Sequence, residues 1–241
     1  MIGWPPGVGL VRLEQTDSTN QEARRRAESG GIEHGPFWII AERQTAGRGR
    51  RGRVWETGAG NLAATLLLKP TVSPAQASQL GFVAALAVAD LAQEFVPHAA
   101  ITVKWPNDVL AEGRKISGVL LEAGDGWLAI GIGVNLASFP EGTEFPATSL
   151  AALGALPPKP ADALVLLAGR FAHWQTCWQE DGFAPLRAAW LDRAQGLGGP
   201  IRARLPQGER HGAFEGMDAS GALLLREPNG LTTITAGEVF Y

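Results

Sequence analysis

FWIIAERQTAGRGRRGRVW, residues 37–55, changes character halfway along. Phe37 to Glu42 is aromatic and β-branched, the composition of a buried strand. Ala46 to Trp55 then holds four arginines (48, 50, 51, 53) and three glycines (47, 49, 52), a mixture poor at forming either helix or strand. A core strand therefore feeds straight into a cationic loop. Such a loop is either a solvated basic segment, an RGG-like RNA-binding patch included, or a flexible element that something negatively charged must order. RGG segments usually repeat, and this one does not. Backbone N–H groups at Gly47, Gly49 and Gly52 can approach an anion closely, and arginines 48, 50, 51 and 53 offer fork-shaped donors for phosphate and carboxylate. Fixing each glycine costs roughly 0.5–1 kcal/mol more than alanine, so the loop is expected to order only when a ligand compensates.

The rest of the chain narrows what that anion is. In 241 residues, 45% hydrophobic and 19% charged, there is ample material for a core. The net charge is −3, whereas a protein that grips nucleic acid by neutralising phosphates usually carries a basic balance. A small anionic ligand suits the loop better than a polyanion. The single cysteine, Cys177, excludes an internal disulfide or a multi-cysteine metal site. It stands beside Trp174 and Trp178 in a helical run, where a buried structural thiol is expected. The four histidines are scattered without metal-ligand spacing. The N-terminal MIGWPPGVGLVRL lacks the layout of a signal peptide. The longest apolar run, Leu80 to Ala89, ends at Asp90 and is too short to span a bilayer. These features predict a cytoplasmic protein with no membrane partner.

Working outward, Leu10 to Leu13 is a short strand candidate, and DSTNQEARRRAESGG is a helix punctuated by Asp, Ser and Thr before it and Gly30–Gly31 after it. NLAATLLLK (Asn61 to Lys69) is a further strand, and Pro74 to Val96 a long helix with proline near its start. ITVKW, a hairpin in DVLAEGRKISGVLLEA with its turn at Glu112–Gly113, and WLAIGIGVN form a second strand cluster. Helices are expected over Ala161 to Glu180 and Phe183 to Ala194. Beyond GLGGP only short strand-like pieces remain (IRARL, GAFEGM, ALLLRE, LTTIT, EVF), separated by the turns DASG and EPNG. The reading is an α+β chain in two parts: residues 1–195, and a small SH3-like β-barrel over residues 196–241 that leans on its neighbour.

Three further clusters accompany the loop, all at strand ends, helix starts or connections. In KWPND, Lys104 closes a strand and Pro106 stops it. Asn107 and Asp108 are then free to turn inward as an amide for a base edge and a carboxylate for Mg²⁺ through water, or they are an exposed turn. Lys115, across the hairpin, is aimed at the same space or is a surface lysine. Ser18 and Thr19 are helix caps, which can also face a ligand at a helix N-terminus.

Taken together, DSTNQEA, QTAGRGRRGRVW, KWPNDVL, KISGVLLE and GIGVNL resemble biotin protein ligases, in family order and at ordinary spacing, from Val11 to the C-terminus. The resemblance implies a class II aminoacyl-tRNA synthetase-like mixed sheet with packed helices, followed by the SH3-like unit. It implies Ser18, Thr19 and Gln44 at biotin's ureido ring, with Gly47 and Arg48 in the loop closing over biotin, and Gly118 allowing close backbone approach. Arg50, Arg51 and Lys104 become phosphate contacts, and Lys115 reaches the carboxylate or acyl-phosphate. Trp55 is the adenine stack, Asn107 its edge contact, Asn135 the nucleotide-side lining, and Asp108 an Mg²⁺ contact through water. Lys115, Arg50 and Lys104 are the catalytic set.

The reaction so implied uses ATP and biotin as substrates with Mg²⁺, forms biotinyl-5′-AMP, and transfers biotin to a lysine of a biotin carboxyl carrier protein. Larger family members carry an N-terminal winged helix-turn-helix. Only about ten residues precede the first strand here, so DNA binding is not carried over. Monomer and homodimer both stay open. The rival readings are a lipoate or octanoate ligase, from which the QTAGRGRRGR loop distinguishes this chain, a nucleic-acid-binding module using the Arg/Gly loop, and a binding-only relative, against which Lys104, Asp108 and Lys115 argue.

Overall fold

The computed structural model describes residues 3–241, so Met1 and Ile2 of the N-terminal stretch lie outside it. The larger sheet contains β1 (Gly9–Thr16), β2 (Phe37–Gln44), β3 (Leu62–Leu68), β4 (Ile101–Lys104), β5 (Asp108–Ala111), β6 (Arg114–Gly124) and β7 (Trp127–Val134). Their spatial order is β1-β2-β3-β7-β6-β5-β4. β1 and β2 run parallel and the remaining neighbours antiparallel, the mixed sheet anticipated from sequence. The β5–β6 turn is Glu112–Gly113, both with positive φ (51° and 70°), as a tight hairpin of this hand requires.

The helices are α1 (Thr19–Glu28), α2 (Pro74–Ala77), α3 (Leu80–Phe95), α4 (Pro160–Asp181) and α5 (Phe183–Leu191). The single helix expected over Pro74 to Val96 is thus two. Ser73 and Gln76 form a capping box at the start of α2. The chain then tightens into i→i−3 hydrogen bonds, Gln79 N–H to Gln76 O (3.0 Å) and Phe82 N–H to Gln79 O (2.9 Å). There the Gln79 side chain leaves the helix face to accept from Trp178 Nε1 at 2.8 Å. Taken as one segment, Pro74–Phe95 is long and apolar enough to cross a membrane, contrary to the shorter run read from sequence, but 78% of its most apolar stretch is buried against the sheet. It is the core helix.

Strand periodicity places the site. On one face of β7, Leu128, Ile130, Ile132 and Val134 join the main core beneath α3 and α4, as do Leu62, Ala64, Leu66 and Leu68 of β3. On the other face Ala23 of α1 packs with Ile39, Leu67, Trp127 and Ala129. That face dwindles along β7 from Trp127 and Ala129 to Gly131 and Gly133, and along β3 from Leu67 to Thr65 and Ala63. The sheet is covered where the residues are large and hollow where they are small.

Residues 200–240 form a second sheet from β8 (Pro200–Leu205), β9 (Gly208–Met217), β10 (Leu223–Glu227), β11 (Gly230–Ile234) and β12 (Glu238–Phe240). It is antiparallel, in the order β11-β10-β9-β8-β12. Phe214, Leu223, Leu225 and Val239 belong to the same buried cluster as α3 and α5, so the two sheets share one core. Trp105 Nε1 donates to Gly221 O at 3.0 Å across that junction. Cys177 is free and half-buried on α4 rather than fully buried.

Candidate active site

A hollow of about 270 Å³ opens over the small-residue floor of β3, β6 and β7. Ala63, Gly118, Gly131 and Gly133 line its base, and the start of α1, the Arg/Gly loop, the KWPND turn and Glu238 of β12 form its walls. The glycines are steric requirements. A Cβ on Gly131 would lie 2.2 Å from Asn20 Oδ1, and one on Gly133 would lie 2.3 Å from the Trp55 ring.

At the start of α1, Ser18 holds the N-cap position but its side chain makes no capping hydrogen bond, a departure from the expected role. Asp17 serves the helix start instead: Ser18 N–H donates to Asp17 Oδ1 at 2.7 Å. Arg25 holds that carboxyl well below its ordinary range, against the opposing effect of burial. The buried Ser18 hydroxyl is thereby left to the hollow. Thr19 is the first helical residue, and its N–H and Oγ1 both donate to Gln44 Oε1 (2.8 and 3.1 Å). Gln44 Nε2 donates onward to Thr57 at 2.9 Å. Next to these lies Asn20, buried and missed in the sequence reading. Its Nδ2 donates to Glu122 Oε2 at 2.8 Å, and its Oδ1 accepts from the Thr65 hydroxyl at 2.7 Å. A period-2 reading of AIGIGVN, bare on one face of a strand, was the signal that a buried polar group would meet Gly131.

The loop is folded over the hollow. Gly47 is buried, and a Cβ there would meet Trp55 O at 2.3 Å, so only glycine fits. Trp55 N–H donates to Gly47 O at 2.9 Å, and Gly49 N–H donates to Arg53 O at 2.8 Å. The Gly49 amide is therefore spent within the loop, not on an anion cradle. Arg51 (φ 56°) and Gly52 (φ 74°) turn the tip through left-handed backbone. Ordering was expected to await an anion, and the anion present is the protein's own. Buried Glu238 receives Arg53 (2.5 Å), Arg51 (3.4 Å) and Arg204 (2.8 Å). Burial pushes its carboxyl up, yet these arginines hold it below its ordinary value. Arg53 and Arg204 also reach Glu144, at 3.1 and 2.7 Å.

Beneath the loop, Arg50 donates to Asn107 Oδ1 (2.9 Å) and Gly237 O (3.3 Å), and Asn107 Nδ2 donates to Val119 O. Asn107 thus uses both ends of its amide internally, where an open base-edge contact was expected. Asn135 is buried, with Nδ2 donating to Thr148 O at 3.0 Å, and braces the strand end. Lys115 Nζ pairs with Asp108 Oδ1 at 2.8 Å. Lys104 is buried, and burial pushes its ammonium down to about 8, with Lys115 adding and Asp108 opposing. Burial also lowers Arg50. The Trp55 ring abuts Gly133 and Gly118, its centroid 5.7 Å from Lys115 Nζ.

Of the residues singled out from sequence, Ser18, Thr19, Gln44, Arg48, Arg50, Trp55, Lys104, Asn107, Asp108, Lys115, Gly118 and Asn135 line the hollow. Gly47 lies behind Gln44, and Arg51 points to Glu238. Glu238 and Glu144 went unread because nothing in their sequence neighbourhoods links them to the loop. One open hollow thus gathers five basic side chains (Arg48, Arg50, Arg53, Lys104, Lys115), three carboxylates that pair with them (Asp108, Glu144, Glu238) and an uncharged floor, an arrangement suited to an apolar ligand beside an anionic one.

Residues 13–135 match the Biotin/lipoate A/B protein ligase family, and residues 196–241 match the Biotin protein ligase C terminal domain. The chain is 48% identical to a biotin–[acetyl-CoA-carboxylase] ligase of Paracoccus denitrificans, over 95% of this chain and 99% of that protein. The chain belongs to the biotin protein ligase family. It is also 35% identical to the biotin–[acetyl-CoA-carboxylase] ligase of Mycobacterium tuberculosis, over 98% of this chain and 91% of that one. Its fold is similar to the Aquifex aeolicus biotin protein ligase solved in complex with biotin and ATP. The TM-score is 0.84 at 29% identity, covering 96% of this chain and 97% of that one.

Proposed function

We propose that the chain adenylates biotin with ATP, giving biotinyl-5′-AMP and pyrophosphate, and then passes the biotinyl group to a lysine of a biotin carboxyl carrier protein. The observation that carries this reading is the polar start of α1 facing a bare glycine floor, with the cationic loop and Lys104 at the other side of one hollow. In this reading Ser18, Thr19 and Gln44 receive the ureido ring, and Gly118 allows close backbone approach to it, while Gly131 and Gly133 seat the Asn20 amide and the Trp55 ring that border the ligand. Gly47 and Arg48 belong to the closing loop, and Trp55 supplies a face for the adenine. Asn107 and Asn135 brace the nucleotide side.

The obstacle to the first step is the approach of a carboxylate to a triphosphate. Two unit charges about 4 Å apart repel by roughly 4 kcal/mol at an effective dielectric of 20. Lys115 and Lys104 offset that repulsion and hold the carboxylate in line with the α-phosphorus, and Arg50 and Arg51 take the outgoing phosphates. Arg51 must exchange Glu238 for those phosphates. The second step needs only a neutral amine and a leaving AMP, so no nucleophilic side chain is required. The folded loop keeps water from the mixed anhydride until the acceptor lysine arrives.

For Mg²⁺ the fit is to an ion carried in on the nucleotide. No cluster of three His, Cys, Asp or Glu able to hold a metal occurs among the described residues, and Asp108 is the carboxylate beside Lys115. Asp108 through water, with phosphate oxygens supplying the rest, is an ordinary Mg²⁺ environment. Bound there, the ion adds positive charge against the phosphates. Residues 1–195 then form the catalytic unit and 196–241 an SH3-like unit. ATP as substrate and a lone unpaired cysteine suit the cytoplasm. A homodimer has a natural seam at the edge of β6 from Leu121 to Gly124, beyond its pairing with β5. DNA binding is no part of the proposal.

The test is a streptavidin blot of a biotin carboxyl carrier domain incubated with the purified protein, biotin and Mg-ATP. Label confined to the acceptor lysine and dependent on both substrates is expected. Label from lipoate in place of biotin, or retarded nucleic acid without any label, would turn the assignment to one of the rival readings.

A further inference from the structure

Two tilted rings in contact join the halves of the site. Phe145, in the loop after β7, and Phe240, in β12, lie with ring centroids 5.0 Å apart and planes tilted by 30°. Cations surround the pair. Lys104 Nζ stands 3.6 Å from the Phe145 centroid and 5.7 Å from that of Phe240. Arg202 and Arg204 lie 4.2 and 4.6 Å from Phe240, and Arg53 lies 5.7 Å from Phe145. Lys104 makes no ion pair among the described residues, and Asp108, the carboxylate of its own KWPND turn, is engaged with Lys115 at 2.8 Å.

Both kinds of partner hold a cation, but with different consequences. A carboxylate neutralises the charge it holds, so a phosphate must displace it. A ring face attracts an ammonium through its quadrupole and leaves the full charge available. We propose that Phe145 and Phe240 are positioning residues for the adenylation step, holding Lys104 by their ring faces so that an ammonium without a direct ion pair meets the triphosphate of ATP. The proposal rests on the ligase reading and deepens it. It gives the second sheet a direct part in nucleotide recognition, since Phe240 belongs to β12.

The test compares Phe145→Leu, which keeps apolar bulk but loses the quadrupole, with Phe145→Tyr, which keeps it. Biotin- and ATP-dependent pyrophosphate exchange is measured as KM for ATP, KM for biotin and a pH profile, with thermal unfolding recorded for each variant. Phe145→Leu is expected to raise KM for ATP by about tenfold, the scale of a desolvated cation–ring contact. It should leave KM for biotin within twofold, and Phe145→Tyr should restore the parent value. Lys104 is faced by Asp108, Glu144, Glu238, Lys115 and the Tyr241 ring, all unchanged in the variant. Losing the ring therefore disfavours the ammonium, and the alkaline limb of kcat/KM for ATP moves to lower pH.

Phe240→Leu provides the same comparison from the other ring if Phe145→Leu unfolds. Equal KM for ATP in parent and Leu variants overturns the inference, as does equal impairment by Leu and Tyr or a matching rise in KM for biotin. A parent protein that shows no biotin-dependent exchange instead overturns the ligase reading itself, so the two failures are distinguishable.

Discussion

Lys104 carries opposed demands in one side chain. Its burial lowers the ammonium from 10.5 to about 8, so the lysine stays charged below that pH and loses its proton above it. The alkaline limb of kcat/KM for ATP is therefore expected near pH 8 in the free enzyme, and Lys104→Arg should remove that limb from the accessible range even if the rate falls. The stability consequence has the opposite sense. Because the folded value lies below the unfolded one, the unfolded chain binds more protons between about 8 and 10.5, and stability rises with pH through that window. Lys104→Met is expected to abolish adenylation while raising the Tm by on the order of 2–4 °C, read by calorimetry at pH 7. A Tm that falls would show the ammonium to be a net stabiliser.

Among the elements, β7 decides where the hollow lies, and Gly131 and Gly133 test different parts of it. Gly131→Ala drives a methyl to 2.2 Å from Asn20 Oδ1, forcing the amide away from Thr65 and Glu122 and stranding buried polar atoms. A loss of roughly 1–3 kcal/mol in urea unfolding is expected, with weaker biotin binding by titration calorimetry. Gly133→Ala collides instead with the Trp55 ring, which has solvent to move into, so fold stability should hold while ATP affinity drops. The strands, the hairpin turn and most site residues were legible because they are local: period-2 apolarity, Glu112–Gly113, and motifs whose members lie within a dozen positions. The break between α2 and α3 was not, because Gln79 leaves the helix for Trp178, 99 positions away. That the Val119 and Thr148 carbonyls brace the amides of Asn107 and Asn135 was not legible either, because an amide's sequence context does not name its partner.

At the scale of the whole molecule, the second sheet is tied to the first through charge as well as through the shared core. Glu238 keeps the loop arginines engaged above the ordinary carboxylate value of 4.5, and the hold weakens as pH falls through its depressed one. Glu238→Gln should leave the loop free when no ligand is bound. Trypsin at neutral pH is then expected to cut after Arg48, Arg50, Arg51 or Arg53 several-fold faster than in the parent, with biotin plus ATP restoring protection. Equal cleavage rates without ligand would show that the tether does not hold the loop. The chain's last residue has its own place in this junction. Tyr241 packs its ring against Gly196, where a Cβ would come within 2.3 Å, and stands 5.8 Å from Lys104 Nζ. A side-chain change at position 241 would therefore be felt at Lys104, although 137 positions separate the two.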